Sequence, residues 1–405
     1  MHCVSSCDKR TSYVPCLQLL LIVWAGRETI NILPDDVLLH IFHFDGLLYR
    51  HKGFWEPLDW DGMRDDDRML RLTWNWQRLA HVCRRWRSII FASPNFLDLR
   101  LVCLPGTRLE LTGIWPPLPI IISDAVYDVV YNKLRKTFDF DAAIVHTDRV
   151  REINLIYLTR PRLQRLVFQM HVQFPALVRL VICCQDRRYN VPALPDGFLG
   201  GSAPQLQYFG LHRIPFPALP KFLLSATGLV YLVLKSIPDS GCFSPEAIVT
   251  GLAAMANLKS LTIEFCSPVY PRYRNHQRPP SPIRTVLPAL THFWFEGDSE
   301  YLEDLMARVD APLLTFFSIT FFNQTIFDIP QVAQFMRRMT RFRALNEAYT
   351  CISEFGFLVR YPLPAESGES VALSISCGNS DWRLSSLARV LTSIFPEILI
   401  GSNNE

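Results

Sequence analysis

His40 and His43 lie three residues apart, a spacing that puts both imidazoles on one side of a helix, where they could share a metal ion. No carboxylate or thiol at ligand spacing completes that set, so two surface histidines are expected. The triplet Asp65 to Asp67 fails similarly, because a calcium loop alternates its oxygen ligands, needs a turn glycine and closes on a glutamate. A solvated acidic loop is expected there. Asp59 and Asp61 flank Trp60, and Asp139 and Asp141 flank Phe140, but paired carboxylates without a cleft assign no acid and base. Eleven cysteines (Cys3, Cys7, Cys16, Cys83, Cys103, Cys183, Cys184, Cys242, Cys266, Cys351 and Cys377) include no C-x-x-C pair, which predicts reduced, mostly buried thiols rather than a disulfide framework or a zinc array. The chain also lacks a G-x-S-x-G elbow, a G-x-x-x-x-G-K-[ST] phosphate loop and an H-E-x-x-H helix. The expectation is a non-catalytic binding protein with no catalytic residue, metal or cofactor.

Composition narrows the partner. The 405 residues are 49% apolar and 20% charged, values of a folded chain with a sizeable core. A net charge of +3, from 41 basic and 38 acidic groups, argues against nucleic acid. Arg337, Arg338, Arg341 and Arg343 have too few aromatic neighbours for a single-strand groove and read as a solvated helical face. The apolar run Leu17 to Ala25 is too short to span a bilayer, which takes about 18 residues or more, so no membrane contact is expected and the cytoplasm or nucleus is the expected compartment. In the alternative, a secreted or surface repeat protein that binds a ligand by itself, this run would be a signal and the sequon at Asn323 would matter. Arg27 and Glu28 follow the run directly, without a small-x-small cleavage site.

The elements that must position a binding surface fall into two sets. Beyond an N-terminal extension (residues 1–30), residues 31–44 predict a short helix, with Pro34 suited to the first turn and Asp35 and Asp36 at the positive end of its dipole. Residues 45–73 read as a loop-like insertion. Residues 74–92 predict a second helical block, with Leu79, Val82, Trp86 and Ile89 on one stripe, Arg84, Arg85 and Arg87 on the polar side, and Ser93-Pro94 as the stop. Together residues 31–97 make a small helical domain. The combination Leu33-Pro34-x-x-Val37, Ile41-Phe42 and Trp76-x-x-Leu79-x-x-Val82-Cys83-Arg84-x-Trp86-Arg87, ending in Ser93-Pro94, resembles an F-box, specifically that of a large fungal set reading H-V-C-R-R-W-R. The resemblance implies docking on the Skp-family adaptor, and through it a cullin, by Leu33, Pro34, Val37, Ile41, Phe42, Leu79, Val82 and Trp86.

Residues 98–405 carry a repeat of apolar positions 1, 4 and 6: Val150-Ile153-Leu155, Leu177-Leu180-Ile182, Leu206-Phe209-Leu211, Leu229-Leu232-Leu234, Leu258-Leu261-Ile263, Leu290-Phe293-Phe295 and Leu314-Phe317-Ile319. First positions are 27, 29, 23, 29, 32 and 24 residues apart, near the roughly 20–29 of leucine-rich repeats. The predicted fold is therefore α/β: a small helical module followed by an irregular leucine-rich-repeat solenoid with a parallel strand stack, in which prolines mark the return from helix to strand. Val191 to Ser202, Ile214 to Pro217 and Ser244 to Ile248 resemble stretches that follow the F-box in the same fungal proteins, which implies a substrate receptor of a Skp-cullin-type ubiquitin ligase. Leu163-Leu166-Phe168 is assigned to the helical side of the first repeat. Ser267 to Pro282 reads as an exposed Pro- and Arg-rich loop, and Phe395 to Leu399 as the start of a further repeat without a polar cap.

Alternation along each strand turns positions 3, 5 and 7 away from the core. They carry Glu152, Asn154, Arg179, Tyr208, His212, Tyr231, Lys235, Glu264, His292, Trp294 and Glu296. From Arg179 onward these are the expected target-binding residues, with a basic half near Arg179 and Lys235 and an acidic half near Glu264 and Glu296. The target itself is an unknown protein.

Overall fold

A computed structural model describes residues 33–50, 76, 78–103, 117–124, 144–186, 191–215, 221–267, 284–322, 329–339, 349–353, 356–362 and 370–377. The N-terminal extension, Asp65 to Asp67, both Asp-aromatic-Asp pairs, Arg341 and Arg343, the Pro- and Arg-rich stretch beyond Ser267, and Phe395 to Leu399 lie outside them. The chain divides into two units, residues 1–100 and 101–405.

In the first unit, helix α1 (Asp35–Arg50) runs six residues past its expected end, into the segment read as a loop. The second helical block is not one stripe. It breaks at residues 81–83, where the amides of His81 and Val82 bond back three residues to Arg78 and Leu79, and a new helix, α2 (Arg84–Ala92), begins. Cys83 is the cause: its backbone is extended (φ −156°, ψ 171°) and its Sγ accepts from the Trp86 amide at 3.4 Å, satisfying a donor left open at the helix start. Arg87 Nε donates to the Ala80 carbonyl at 3.0 Å across the break. Val82 therefore leaves the predicted apolar face and is 58% exposed.

The second unit is built on one repeated local device. Leu177, Leu206, Leu229, Leu258, Leu290 and Leu314 each donate their amide to the carbonyl three residues back, at 3.0–3.3 Å, closing six equivalent turns. Pro175, Pro204, Pro288 and Pro312 occupy the second position of four of these turns, where the preset φ of proline fits. The next residue then reaches the preceding repeat: Val178 bonds Arg151, Gln207 bonds Val178, Val230 bonds Gln207, Lys259 bonds Val230, Thr291 bonds Lys259 and Thr315 bonds Thr291, amide to carbonyl at 2.8–2.9 Å. This ladder fixes the register before the strands proper begin.

Seven strands follow in that register: β3 (Val150–Leu158), β4 (Arg179–Cys184), β5 (Tyr208–His212), β6 (Tyr231–Ile237), β7 (Ser260–Phe265), β9 (His292–Gly297) and β11 (Phe316–Phe321). All pair in parallel with the repeat before. Ile153, Leu180, Phe209, Leu232, Leu261, Phe293 and Phe317 align across the sheet, as do Leu155, Ile182, Leu211, Leu234, Ile263, Phe295 and Ile319. Every side chain at positions 1, 4 and 6 is at most 2% exposed. The strands β1 (Leu101–Cys103) and β2 (Ile120–Ser123) extend the sheet on one side and β14 (Ser370–Cys377) on the other, giving ten parallel strands. Beyond β14 the pairing turns antiparallel through β13 (Gly356–Pro362) and β12 (Tyr349–Ser353), an ending that the repeat pattern does not foretell. A separate two-stranded parallel pair joins β8 (Thr285–Val286) to β10 (Val309–Asp310).

Helices cover the apolar side. The helix α3 (Arg160–Gln169) follows β3 and buries Leu163, Leu166 and Val167. Phe222 of α4 (Lys221–Ser225) meets Phe209 at 5.2 Å, Tyr301 of α6 (Ser299–Met306) meets Phe265 at 4.8 Å, and Phe335 of α7 (Pro330–Arg338) meets Phe317 at 5.8 Å between ring centroids. Between β6 and β7, α5 (Pro245–Leu252) is capped by Ser244, whose Oγ accepts from the Ala247 amide. Helix α7 has no cap of its own: Glu303 of α6 accepts from the amides of Gln331 and Val332 at 2.7 and 2.9 Å. Among the described residues no helix is long and apolar enough to cross a membrane.

The register makes adjacent positions opposite in consequence. Phe293→Ala, on the buried side, is expected to cost about 3–5 kcal/mol, whereas Trp294→Ala, one residue on, costs less than about 1 kcal/mol. Urea unfolding of both variants measures the difference; equal losses would place the strand in the other register.

Candidate docking surfaces

The first unit is held by an arginine clasp. Arg85, read from the sequence as part of a polar face, donates from Nε and Nη2 to Asp35 Oδ1 at 2.8 and 2.5 Å and from Nη2 to the Leu33 carbonyl at 2.6 Å. It thus ties α2 to the first turn of α1. Behind the clasp, Phe42 and Trp86 pack with ring centroids 4.7 Å apart, and Leu38 is fully buried. His40 and His43 both pack against Phe96, and His43 Nδ1 lies 3.1 Å from the Phe96 carbonyl. Of the eight residues assigned to adaptor docking, Phe42 and Trp86 are therefore corrected from surface to core, because the two rings pack on each other and join Leu38, Ile89 and Ile90 among the buried side chains. Pro34, Val37 and Val82 are exposed, and Leu33, Ile41 and Leu79 are half-buried.

In the second unit the non-core side of the sheet carries three columns. Glu152, Arg179, Tyr208, Tyr231, Ser260, His292 and Phe316 align in the first, and Asn154, Val181, Gly210, Val233, Thr262, Trp294 and Ser318 in the second. Cys183, His212 and Lys235 share the third, as do Glu264, Glu296 and Thr320.

This side is less open than alternation alone implies. Tyr208 is only 1% exposed, because its ring lies over Gly210, where a Cβ would come within 3.2 Å of Tyr208 Cε1. The Arg179 guanidinium stacks on the same ring at 3.7 Å, and Tyr231 lies 5.6 Å away on the other side. Arg179 and Tyr208 are thus corrected from target-facing to buried, and Glu152 and Asn154, expected on the same open face, are buried as well. The basic half disappears with them: Lys235, its other member, pairs with Glu264 at 3.1 Å across β6 and β7. His212, Tyr231, Lys235, Glu264 and Glu296 are half-buried. What the sheet offers most openly is on β9 and β11, where Trp294 is 38% exposed and His292 is exposed. Both pack against Phe316, at 4.4 and 5.8 Å. Phe316 is absent from the sequence-derived set although it occupies position 3 of its repeat.

A second cluster has a nucleophilic arrangement but a neutral charge state. Cys183 Sγ lies 3.1 Å from His212 Nδ1, and His212 Nε2 lies 3.1 Å from Ser236 Oγ, an order that matches a nucleophile, base and orienting group. Burial, however, pushes the Cys183 thiol up to about 12. Burial, with Arg213 and Lys235 nearby, pushes His212 down to about 4. Thiol and imidazole are both neutral at pH 7, the reverse of a thiolate–imidazolium pair. Burial also raises Cys103 to about 11 and lifts the thiol of Cys266, whose residue is otherwise exposed and whose Sγ donates to the Ser236 carbonyl at 2.8 Å. Among the described residues no group of three His, Cys, Asp or Glu could hold a metal ion.

The imidazole carries a pH signature. His212 ordinarily titrates near 6.5, so as pH falls the unfolded chain takes the proton first. The stability due to neutral His212 is complete above about pH 6.5 and is lost progressively down to about pH 4, by about 1–3 kcal/mol with allowance for partial exposure. His212→Gln should flatten the urea midpoint against pH across that window; an unchanged slope would assign the titration to other groups. No family model matches the chain, and no curated protein is significantly similar to it.

Proposed function

We propose that the chain is an F-box substrate receptor: residues 31–97 dock on a Skp-family adaptor of a cullin-based ubiquitin ligase, and the repeats, read as an irregular leucine-rich-repeat solenoid, hold a target protein. The observation that carries the reading is the exposed apolar set Pro34, Val37 and Val82 at the positions where the F-box-like sequence places adaptor contacts. Docking on the adaptor would give these exposed apolar side chains a surface to bury against. The half-buried Leu33, Ile41 and Leu79 supply the edges of that surface, while Phe42, Trp86 and the Arg85 clasp hold the helices in place. On the repeat side, the support is one strand per repeat in one continuous parallel register, the arrangement that a solenoid of 23- to 32-residue units requires. Target contacts are assigned to His292 and Trp294, with Phe316 beside them on the neighbouring strand.

The triple variant Pro34→Ala, Val37→Ser, Val82→Ser removes exposed apolar area and touches no core side chain. It should reduce capture of purified Skp-family adaptor at least about tenfold while shifting Tm by no more than about 2 °C. Undiminished capture would overturn the assignment.

A further inference from the structure

Helix α3 presents to solvent a surface that the packing of the sheet does not need. Its inner side is complete, with Leu163, Leu166 and Val167 buried. Its outer side carries Arg160, Arg162, Arg165 and Phe168, and Phe168 is 79% exposed. Val172, just beyond the helix, is exposed as well. At 3.6 residues per turn, Phe168 falls between Arg160 on one flank and Arg165 and Arg162 on the other, an arc of about 200°. No Asp or Glu occurs from residue 153 to residue 185. Among the described residues none of the three guanidinium groups has an ion-pair partner. Asp186, the carboxylate that meets this helix, accepts from the backbone amide of Arg160 at 2.7 Å.

The arginines are also placed against the helix's own stability. Arg160 and Arg162 lie in the first turn, where the positive end of the dipole disfavours cations and no acidic residue is present, and Arg165 follows in the second. The dipole reinforces the charges of Arg160 and Arg162 at the start of the helix, and Arg165, one turn before Phe168, brings positive charge beside the exposed ring. Asp186 compensates the dipole at one backbone amide, but among the described residues no carboxylate pairs with the three guanidinium groups, and unpaired charge placed against a local stability rule marks a surface selected for something else.

We propose that the outer face of α3 docks an acidic, Asp- and Glu-rich segment of a partner protein. The guanidinium forks receive its carboxylates, and Phe168 receives one of its apolar side chains. Arginine rather than lysine suits this role, because the planar fork meets a carboxylate in a bidentate pair. A bilayer is the weaker fit: stable anchoring takes two signals, whereas Phe168 and Val172 expose little apolar area, and a plane cannot meet charges on both flanks of the helix. A nucleic acid would need more phosphate contacts than three arginines provide.

The test is selection of displayed random 12-residue peptides on the full chain, followed by fluorescence anisotropy of the selected peptides with wild type and variants. Selected peptides should be rich in Asp and Glu around one aromatic or aliphatic residue, and their affinity should fall several-fold between about 50 and 300 mM salt. Arg160→Gln, Arg162→Gln, Arg165→Gln together should weaken binding at least about tenfold and Phe168→Ser several-fold, with Tm unchanged or slightly raised in both. Peptides without acidic bias, or acidic peptides that bind the triple variant undiminished, would overturn the proposal. Phe168-dependent recruitment to phosphatidylserine vesicles, with no acidic peptide bound, would overturn it in favour of a lipid surface. Adaptor capture is unaffected by these variants, so the result is independent of the role assigned to residues 31–97.

Discussion

The amide of the residue after each turn leucine, bonded to the carbonyl at the same place one repeat earlier, is the constraint from which the second unit follows. It runs from Arg151 through Val178, Gln207, Val230, Lys259 and Thr291 to Thr315. Because side chains alternate along a strand, fixing this one residue decides which side chains face the core in all seven strands. A slip by one residue would bring Trp294 and Lys235 inward and turn Phe293 and Leu234 out. The prolines at the turns and the helices on the apolar side serve the same end: they deliver each chain segment to its place in the ladder and close the side that the ladder has made apolar.

Much of this was legible because the signal recurs. One apolar triplet could belong to a helix or a strand, but seven at near-constant spacing leave few alternatives. What a pattern of types does not contain is how side chains on the non-core side meet one another. Tyr208 reads as an exposed aromatic until its neighbour two residues on, Gly210, is seen to make room for the ring. Lys235 and Glu264 read as opposite poles of a surface until the register puts them across one strand pair. The break before α2 was hidden for another reason: Cys83 is not among the usual capping residues, and Val82 continues the apolar spacing without continuing the helix. The antiparallel ending at β12 and β13 has no precedent in the repeats.

The two units place their polar contacts differently. In the first, a single arginine at the surface meets a carboxylate and a carbonyl at the start of α1, beside the apolar packing of Leu38, Phe42 and Trp86. In the second, charges are distributed as neighbours: on the sheet Arg179 on Tyr208 and Lys235 on Glu264, and among the helices Arg338 on Asp310 at 2.7 Å and Glu303 on the amides of α7. Arg179, Lys235 and Glu303 each bind the next repeat or element along and Arg338 reaches back to an earlier one, so that polar contacts link successive elements in the direction in which the strands stack. His212 and Cys183 join this pattern as neutral groups, which lets them sit together without a counter-ion.

The order of the strands has a mechanical side. β1 lies at one edge of the large sheet and β12 at the other, with the repeats stacked between them in the order of the chain. Tension applied between those edges acts along the inter-strand hydrogen bonds and loads one strand at a time, as in opening a zip, rather than shearing many bonds together. Resistance to such a pull is set by the weakest neighbouring pair and does not grow with the number of repeats. A chain of this form can be long and well packed, and still be taken apart from an end one unit after another.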